Sequence, residues 1–230
     1  MRRLLLVFSL LLMSVCAFGQ QDYVGRYDVY GGFGYLESPH INLAERGFHT
    51  QLGVNPNTWL SLGFDYSVFT GHTSLTPNLL TLQLQQQLGQ VLATVPTPIL
   101  QAVSPITVPF DSTTHTFAGG PVLNYRHWKG VTLSVHPSIG AIKESVTLNP
   151  TNPVTQGIVA VLAPGGKKDD TVVFYGFGGM VDLNASRHVG VRLTADFVHD
   201  HLFENLLKDG RNTVRFSIGP SFHFGKNVAR

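Results

Sequence analysis

The chain has 230 residues, 43% apolar and 13% charged, with 16 Lys and Arg against 14 Asp and Glu and one cysteine. That length suits a single all-β domain, the near-neutral charge leaves no basic footprint for nucleic acid, and one cysteine excludes an internal disulfide or a thiolate metal cluster. Past the first residues no apolar run reaches the ~20 residues of a transmembrane helix, which leaves alternating strands as the way such a chain would cross a bilayer.

Residues 1–19 read as an export signal: Arg2 and Arg3 form a basic start, Leu4 to Val15 a short apolar core, and Ala17-Phe18-Gly19 a small-x-small cleavage site. Val15 before Cys16 is too bulky for lipoprotein processing. Cleavage removes Cys16 and two arginines, leaving 14 basic against 14 acidic residues. A neutral, cysteine-free exported chain needs another source of stability, and a closed barrel, which has no unpaired edge, supplies it.

Residues 20–230 form the predicted barrel domain. Apolar and polar residues alternate with period two over eight segments, about 26–36, 47–55, 59–69, 114–126, 131–143, 171–183, 188–199 and 213–224. In the first, Tyr27, Val29, Phe33 and Tyr35 oppose Asp28, Tyr30 and Gly32. In the third, Leu60, Leu62, Phe64, Tyr66 and Val68 oppose Ser61, Gly63 and Asp65. In the last, Val214, Phe216, Ile218, Pro220, Phe222 and Phe224 oppose Arg215, Ser217, Gly219, Ser221 and His223. Tight turns at Asn55–Thr58, His127–Gly130 and Asn184–Arg187 alternate with longer connections near 37–46, 70–112, 149–170 and 206–212. Short periplasmic turns and longer extracellular loops are the habit of transmembrane barrels, whereas a soluble lipocalin-like barrel has no reason for that asymmetry.

Charge separates the faces. Asp28, Asp65, Asp182, Arg192, Asp196 and Arg215 all fall opposite the apolar residues. A charge facing lipid near the midplane costs ~2–4 kcal/mol, so the apolar face is assigned to lipid. Eight strands leave an interior filled by side chains, where these six residues must pair to offset desolvation; a narrow conductive path is the alternative. Tyr27, Trp59, Tyr125, Trp128, Phe222 and Phe224 lie near the expected periplasmic ends, and Tyr35, Phe48, Tyr66, Phe69, Phe117 and Phe197 near the opposite ends, as two interfacial aromatic girdles.

From about Asp22 to Phe224, and most specifically in Phe216-x-Ile218-x-Pro220-x-Phe222-x-Phe224, the chain resembles the OmpA-like group of small eight-stranded outer-membrane barrels of Gram-negative bacteria. The resemblance implies an eight-stranded antiparallel up-and-down barrel in the outer membrane, with a C-terminal strand read by the outer-membrane assembly machinery.

Three features invite a chemical reading. His199-Asp200-His201, with Glu204 nearby, sets two imidazoles on one side of a strand, as a metal site or a general base would require; polar rim residues are the plainer reading. The Gly31-Gly32-Phe33-Gly34 and Gly176-Phe177-Gly178-Gly179 clusters lack dinucleotide-binding spacing and no helix follows them; relief of crowding in a curved sheet explains them. Between Asp65 and Asp111 there is no Asp, Glu, Lys or Arg. Within that stretch Leu80, Leu84, Leu88, Val91, Leu92 and Val95 recur at helical spacing, with Thr76 and Pro77 as expected N-cap and first residue and Pro96 as the stop. The next long loop carries an apolar run, Gly157 to Ala163. The two loops are expected to pack as a cap or docking surface, two disordered loops being the alternative. The chain therefore reads as non-enzymatic and structural or surface-interacting, without cofactor, metal or catalytic residue. Its expected partners are outer-membrane lipid, the assembly machinery and a surface partner at loops 70–112 and 149–170, and the competing functions are a narrow channel and a lipid-modifying enzyme.

Overall fold

A computed structural model describes residues 21–102, 105–207 and 210–229; the expected export signal at 1–19 lies outside them. Eight strands form one closed antiparallel barrel in sequence order: β1 (Gly25–Ser38), β2 (Leu43–Val54), β3 (Leu60–Leu75), β4 (Val108–Tyr125), β5 (Val131–Leu148), β6 (Lys167–Asn184), β7 (Val189–Asp200) and β8 (Arg211–Asn227). Closure is between β8 and β1, with Phe33 opposite Ile218 and Tyr27 opposite Phe224, so every strand has two hydrogen-bonded neighbours and no edge remains.

Turn chemistry sets the end with the short connections. Asn55 donates its side-chain amide to the Gly25 carbonyl at 2.8 Å, tying the β2–β3 turn to the start of β1. Ser186 accepts the His188 and Val189 amides at 3.2 and 3.1 Å, closing the β6–β7 turn.

Every strand near the outer end that borders the two long loops runs further than the apolar periodicity predicts. β3 continues to Leu75, β4 begins at Val108, β5 continues to Leu148 and β6 begins at Lys167. The segments 70–75, 108–112 and 167–170, read from the sequence as loop, are therefore paired ladder: His72 faces Asp111, and Thr147 faces Lys167. Likewise β1 and β2 are joined only by the 3-10 turn Pro39–Ile41 and Asn42, whose left-handed φ of 51° suits its short polar side chain.

The physical reason is an inversion of the alternation. Through the bilayer zone the outward positions are apolar and the inward ones polar. Beyond it, Arg46, Asp111, Lys143, Lys167 and Asp169 point outward, while Phe110, Ile142, Leu148 and Phe174 point inward and are buried. There water has replaced lipid outside, so the apolar side chains turn to the interior, as in a soluble barrel. A reading keyed to lipid-facing apolar residues stops where that sign changes.

Two loop segments lie over this outer interior. The β3–β4 connection holds a 3-10 turn, Pro77–Leu79, then α1 (Leu82–Ala93) and α2 (Thr97–Ala102). Thr76 and Pro77 thus open the 3-10 turn and not the α-helix, which starts after Thr81; Pro96 does separate the two helices. The β5–β6 connection holds α3 (Pro153–Leu162), whose capping box pairs Asn152 and Thr155 reciprocally at 2.9 and 3.1 Å. Leu80 and Leu88 from the first connection and Val154, Ile158 and Leu162 from α3 join Phe110, Ile142 and Phe174 of the wall in a single buried cluster. Phe69 belongs inside as well. It is fully buried on the inward face of β3, not in the outer aromatic girdle, because it is one residue out of phase with lipid-facing Tyr66 and Val68. Gly34 makes room for it, since a Cβ there would lie 2.7 Å from the Phe69 ring.

Candidate functional site

The inward polar residues are stacked as three tiers along the barrel, each built on one arginine and the same geometric rule. In the tier nearest the short turns, Arg192 of β7 faces Asp182 of β6 across the ladder. It makes a two-pronged contact with that carboxylate at 2.8 and 3.0 Å, and its remaining arm reaches Asp28 and Gln51 at 3.1 Å each. The Tyr30 ring lies 5.7 Å from its guanidinium, and the Tyr30 hydroxyl donates to Ser217 at 2.8 Å.

In the middle tier Arg215 of β8 faces Asp196 of β7. Its Nε donates to Asp196 at 2.9 Å and its Nη1 to Asp65 and Ser67 at 3.2 and 3.0 Å. His136 stands 3.0 Å from Asp196 and His49 3.7 Å from Asp65. The six charged positions singled out from the sequence are thus divided between these two tiers, and all six are buried.

The outer tier was not legible from strand periodicity. Arg211 of β8 faces Asp200 of β7, contacting it at 3.4 Å and Glu144 of β5 at 2.5 Å. Ser112 donates to Glu144 at 3.0 Å and Thr114 to Glu45 at 3.1 Å. Arg211 pairs with two of the three carboxylates here, whereas Glu45 makes no ion pair within 4.0 Å among the described residues and its Oε2 is buried without a hydrogen-bond partner. Glu45 and Arg211 fall in stretches that the sequence reads as loop, and Glu144 lies one residue past the predicted end of the fifth strand.

Directly above lies the apolar cluster, with a small cavity of about 50 Å3 among Leu79, Leu80, Phe110, Leu148, Leu162 and Phe203. The loop between β7 and β8 closes over it: the Thr81 amide donates to Leu206 at 2.8 Å, and the Phe203 amide donates to Asp170.

The remaining sequence candidates are at the surface. His199 and His201 come together with ring centroids 5.0 Å apart. His199 is engaged with the Asn212 side chain at 2.7 Å, Glu204 is exposed, and among the described residues no group of three His, Cys, Asp or Glu is arranged to hold a metal. Tyr27, Trp59, Tyr125, Phe222 and Phe224 are exposed on the lipid face. Trp128 lies in the β4–β5 turn, edge-on to Tyr125 at 5.4 Å.

This architecture is the fold of the small eight-stranded outer-membrane β-barrels. Neisserial surface protein A has a similar structure at a TM-score of 0.51 and 9% identity, over 86% of this chain and 96% of that one. The outer membrane protein OprG of Pseudomonas aeruginosa is similar at 0.51 and 8% identity, over 90% and 99%. Ail, the attachment invasion locus protein of Yersinia pestis, gives 0.49 and 12% identity over 87% and 99%. No protein-family model matches the chain, and no curated protein matches it in sequence.

Proposed function

We propose that the protein is a non-enzymatic integral barrel of the outer membrane, a rigid scaffold that presents its extracellular cap as a surface interaction module. The observation that carries this reading is the filling of the interior along its length. Three arginine tiers occupy the polar part, and a continuous apolar core occupies the outer part. Transport through such an interior would have to break buried ion pairs and unpack a core, which disfavours a pore. The fold shared with Neisserial surface protein A and OprG supports the membrane setting.

Recording from planar bilayers with purified mature protein tests the closed interior. Silence is expected, and stable ion-selective unitary conductance would favour the narrow channel instead. Pull-down from intact cells with the natural protein and with residues 76–106 replaced by a short linker tests the interaction role. A surface partner lost with that segment is expected, and an identical recovery from both would contradict it.

A further inference from the structure

At the periplasmic end a cavity of about 650 Å3 opens at the membrane interface, walled by Thr58, Trp59, Asn124, Tyr125, Arg126 and His127. Arg126 follows the last residue of β4. Its Nε donates to the Thr58 carbonyl at 2.9 Å, which orients the guanidinium, whereas Nη1 and Nη2 have only the side-chain oxygens of Gln21 and Asn55, each 3.5 Å away. Those contacts are at the limit of a hydrogen bond, so the fork is held firmly only at Nε, between this cavity and the small lumen cavity that Arg126 also lines with Asp28 and Arg192.

Its charge is equally unmatched at short range. Among the described residues no carboxylate lies within 4.0 Å of it. Asp22, the acid at the pocket rim, is taken by Lys129 at 3.1 Å. Asp28 and Asp182, deeper in the barrel, are already engaged by Arg192 at 3.1 and 2.8 Å. Burial opposes the positive charge and lowers the proton affinity of Arg126 below the ordinary arginine value, so an anion brought to the open fork would relieve an existing strain on the charge.

The walls indicate which anion. Trp59 and Tyr125 are more than half exposed on the outer surface, and tryptophan and tyrosine at a barrel rim mark the level of lipid headgroups. Tyr125, His127 and Trp128 form one aromatic cluster with ring centroids 5.4 to 6.0 Å apart. We propose that this pocket is a binding site for the phosphate of a periplasmic-leaflet phospholipid, which Nη1 and Nη2 of Arg126 grip while the acyl chains run along Trp59 and Tyr125. A guanidinium fork fits two phosphate oxygens at once, and the neighbouring apolar rings select a lipid over a free ion.

The proposal rests on the membrane-spanning reading above, and both tryptophans of the chain, Trp59 and Trp128, border the site, so their fluorescence reports it directly. The mature protein in detergent micelles is titrated with dioleoylphosphatidylglycerol, with dioleoylglycerol and with inorganic phosphate, and insertion into vesicles is scored separately by protease protection. Saturable change is expected with the phospholipid, none with dioleoylglycerol, and half-saturation with inorganic phosphate at much higher concentration. R126Q is expected to weaken the phospholipid response on the order of tenfold, the loss of about one charge-assisted contact. An equal response to dioleoylglycerol, or an unchanged titration of R126Q, overturns the site; equal saturation by inorganic phosphate overturns the lipid assignment. Should R126Q fail the heat-modifiability test for folding, the ligand series on the natural protein decides. Absence of insertion defeats the membrane reading itself, while insertion with a flat titration defeats only the site.

Discussion

Arg215 and Asp196 are register partners across the β7–β8 ladder, and the same guanidinium that meets Asp196 at 2.8 Å spans the lumen to Asp65 at 3.2 Å. One side chain thereby staples opposite walls of the barrel. R215M leaves two buried carboxylates without their cation and is expected to destabilise the barrel by ~3–5 kcal/mol. Adding D65N and D196N to that variant removes the stranded charges and is expected to recover part of the loss. Urea unfolding in lipid vesicles measures both, and a triple variant weaker than R215M would show that the tier acts by something other than charge pairing.

Glu45 makes the opposite forecast. It lies beside the Arg211–Glu144–Asp200 cluster without an ion pair of its own, and one of its oxygens is buried without a partner. E45Q keeps the oxygen that accepts from Thr114 and removes a like charge, so stability is expected to hold or rise by roughly 0–1 kcal/mol. E144Q, which loses the closest partner of Arg211, is expected to lower it. A larger loss from E45Q than from E144Q would contradict this ordering.

Close approach of the wall to itself can be tested at two glycines that face each other's strands. A Cβ on Gly219 would run into the backbone of Gly31 and Gly32, whereas one on Gly31 would meet nothing within 4 Å. G219A is expected to abolish the compact, heat-modifiable form on unheated gels, and G31A to retain it. Equal folding of the two variants would mean that β1 and β8 can separate without penalty.

Integrity of the cap is open to proteolysis on intact cells. Trypsin is uninformative because no Lys or Arg lies between Arg46 and Arg126, so a broad protease such as proteinase K is required. The natural cap is expected to resist, and L88D, which puts a charge into the buried cluster, to be cleaved at least several-fold faster. Rapid cleavage of the natural protein throughout residues 76–106 would refute a packed cap.

A milder pH effect is expected where the cap meets β4. His72 and Asn149 hydrogen-bond the exposed Asp111 carboxyl at 2.9 and 2.7 Å, and the His72 contact above all holds that carboxyl below its usual range. A carboxyl depressed on folding stabilises above its unfolded value and loses that contribution as pH falls through the folded one. D111A is therefore expected to speed cleavage of residues 149–166 slightly at pH 7, and the difference to shrink as pH falls below the ordinary carboxylate range. A difference that grows on acidification would contradict the sign.

The sequence made the bilayer zone legible and little beyond it. Alternation identifies lipid-facing and lumen-facing positions correctly from Tyr27 to Tyr35, from Leu60 to Val68 and from Val214 to Phe224 because lipid enforces one sign of polarity along those stretches. Arg192 and Asp182, ten positions apart, were recognisable as inward charges, but their pairing depends on ladder register, which a two-residue period does not specify. At Arg46 and Lys143 the outside becomes water and the rule reverses; Glu45, Glu144 and Arg211 were hidden by that reversal. The apolar spacing of Leu80, Leu84, Leu88 and Leu92 did announce a helix, while Thr81, which makes no side-chain cap, left its start unmarked.

The ladder extensions also set a height. From Lys143 to Leu148, β5 adds six residues beyond the lipid-facing wall, which at ~3.3 Å per residue and a tilt of ~40° raises its tip by roughly 15 Å. The helices therefore ride on a stalk of continuous sheet above the lipid-facing wall, and the stiffness of that sheet holds them at a fixed height over it.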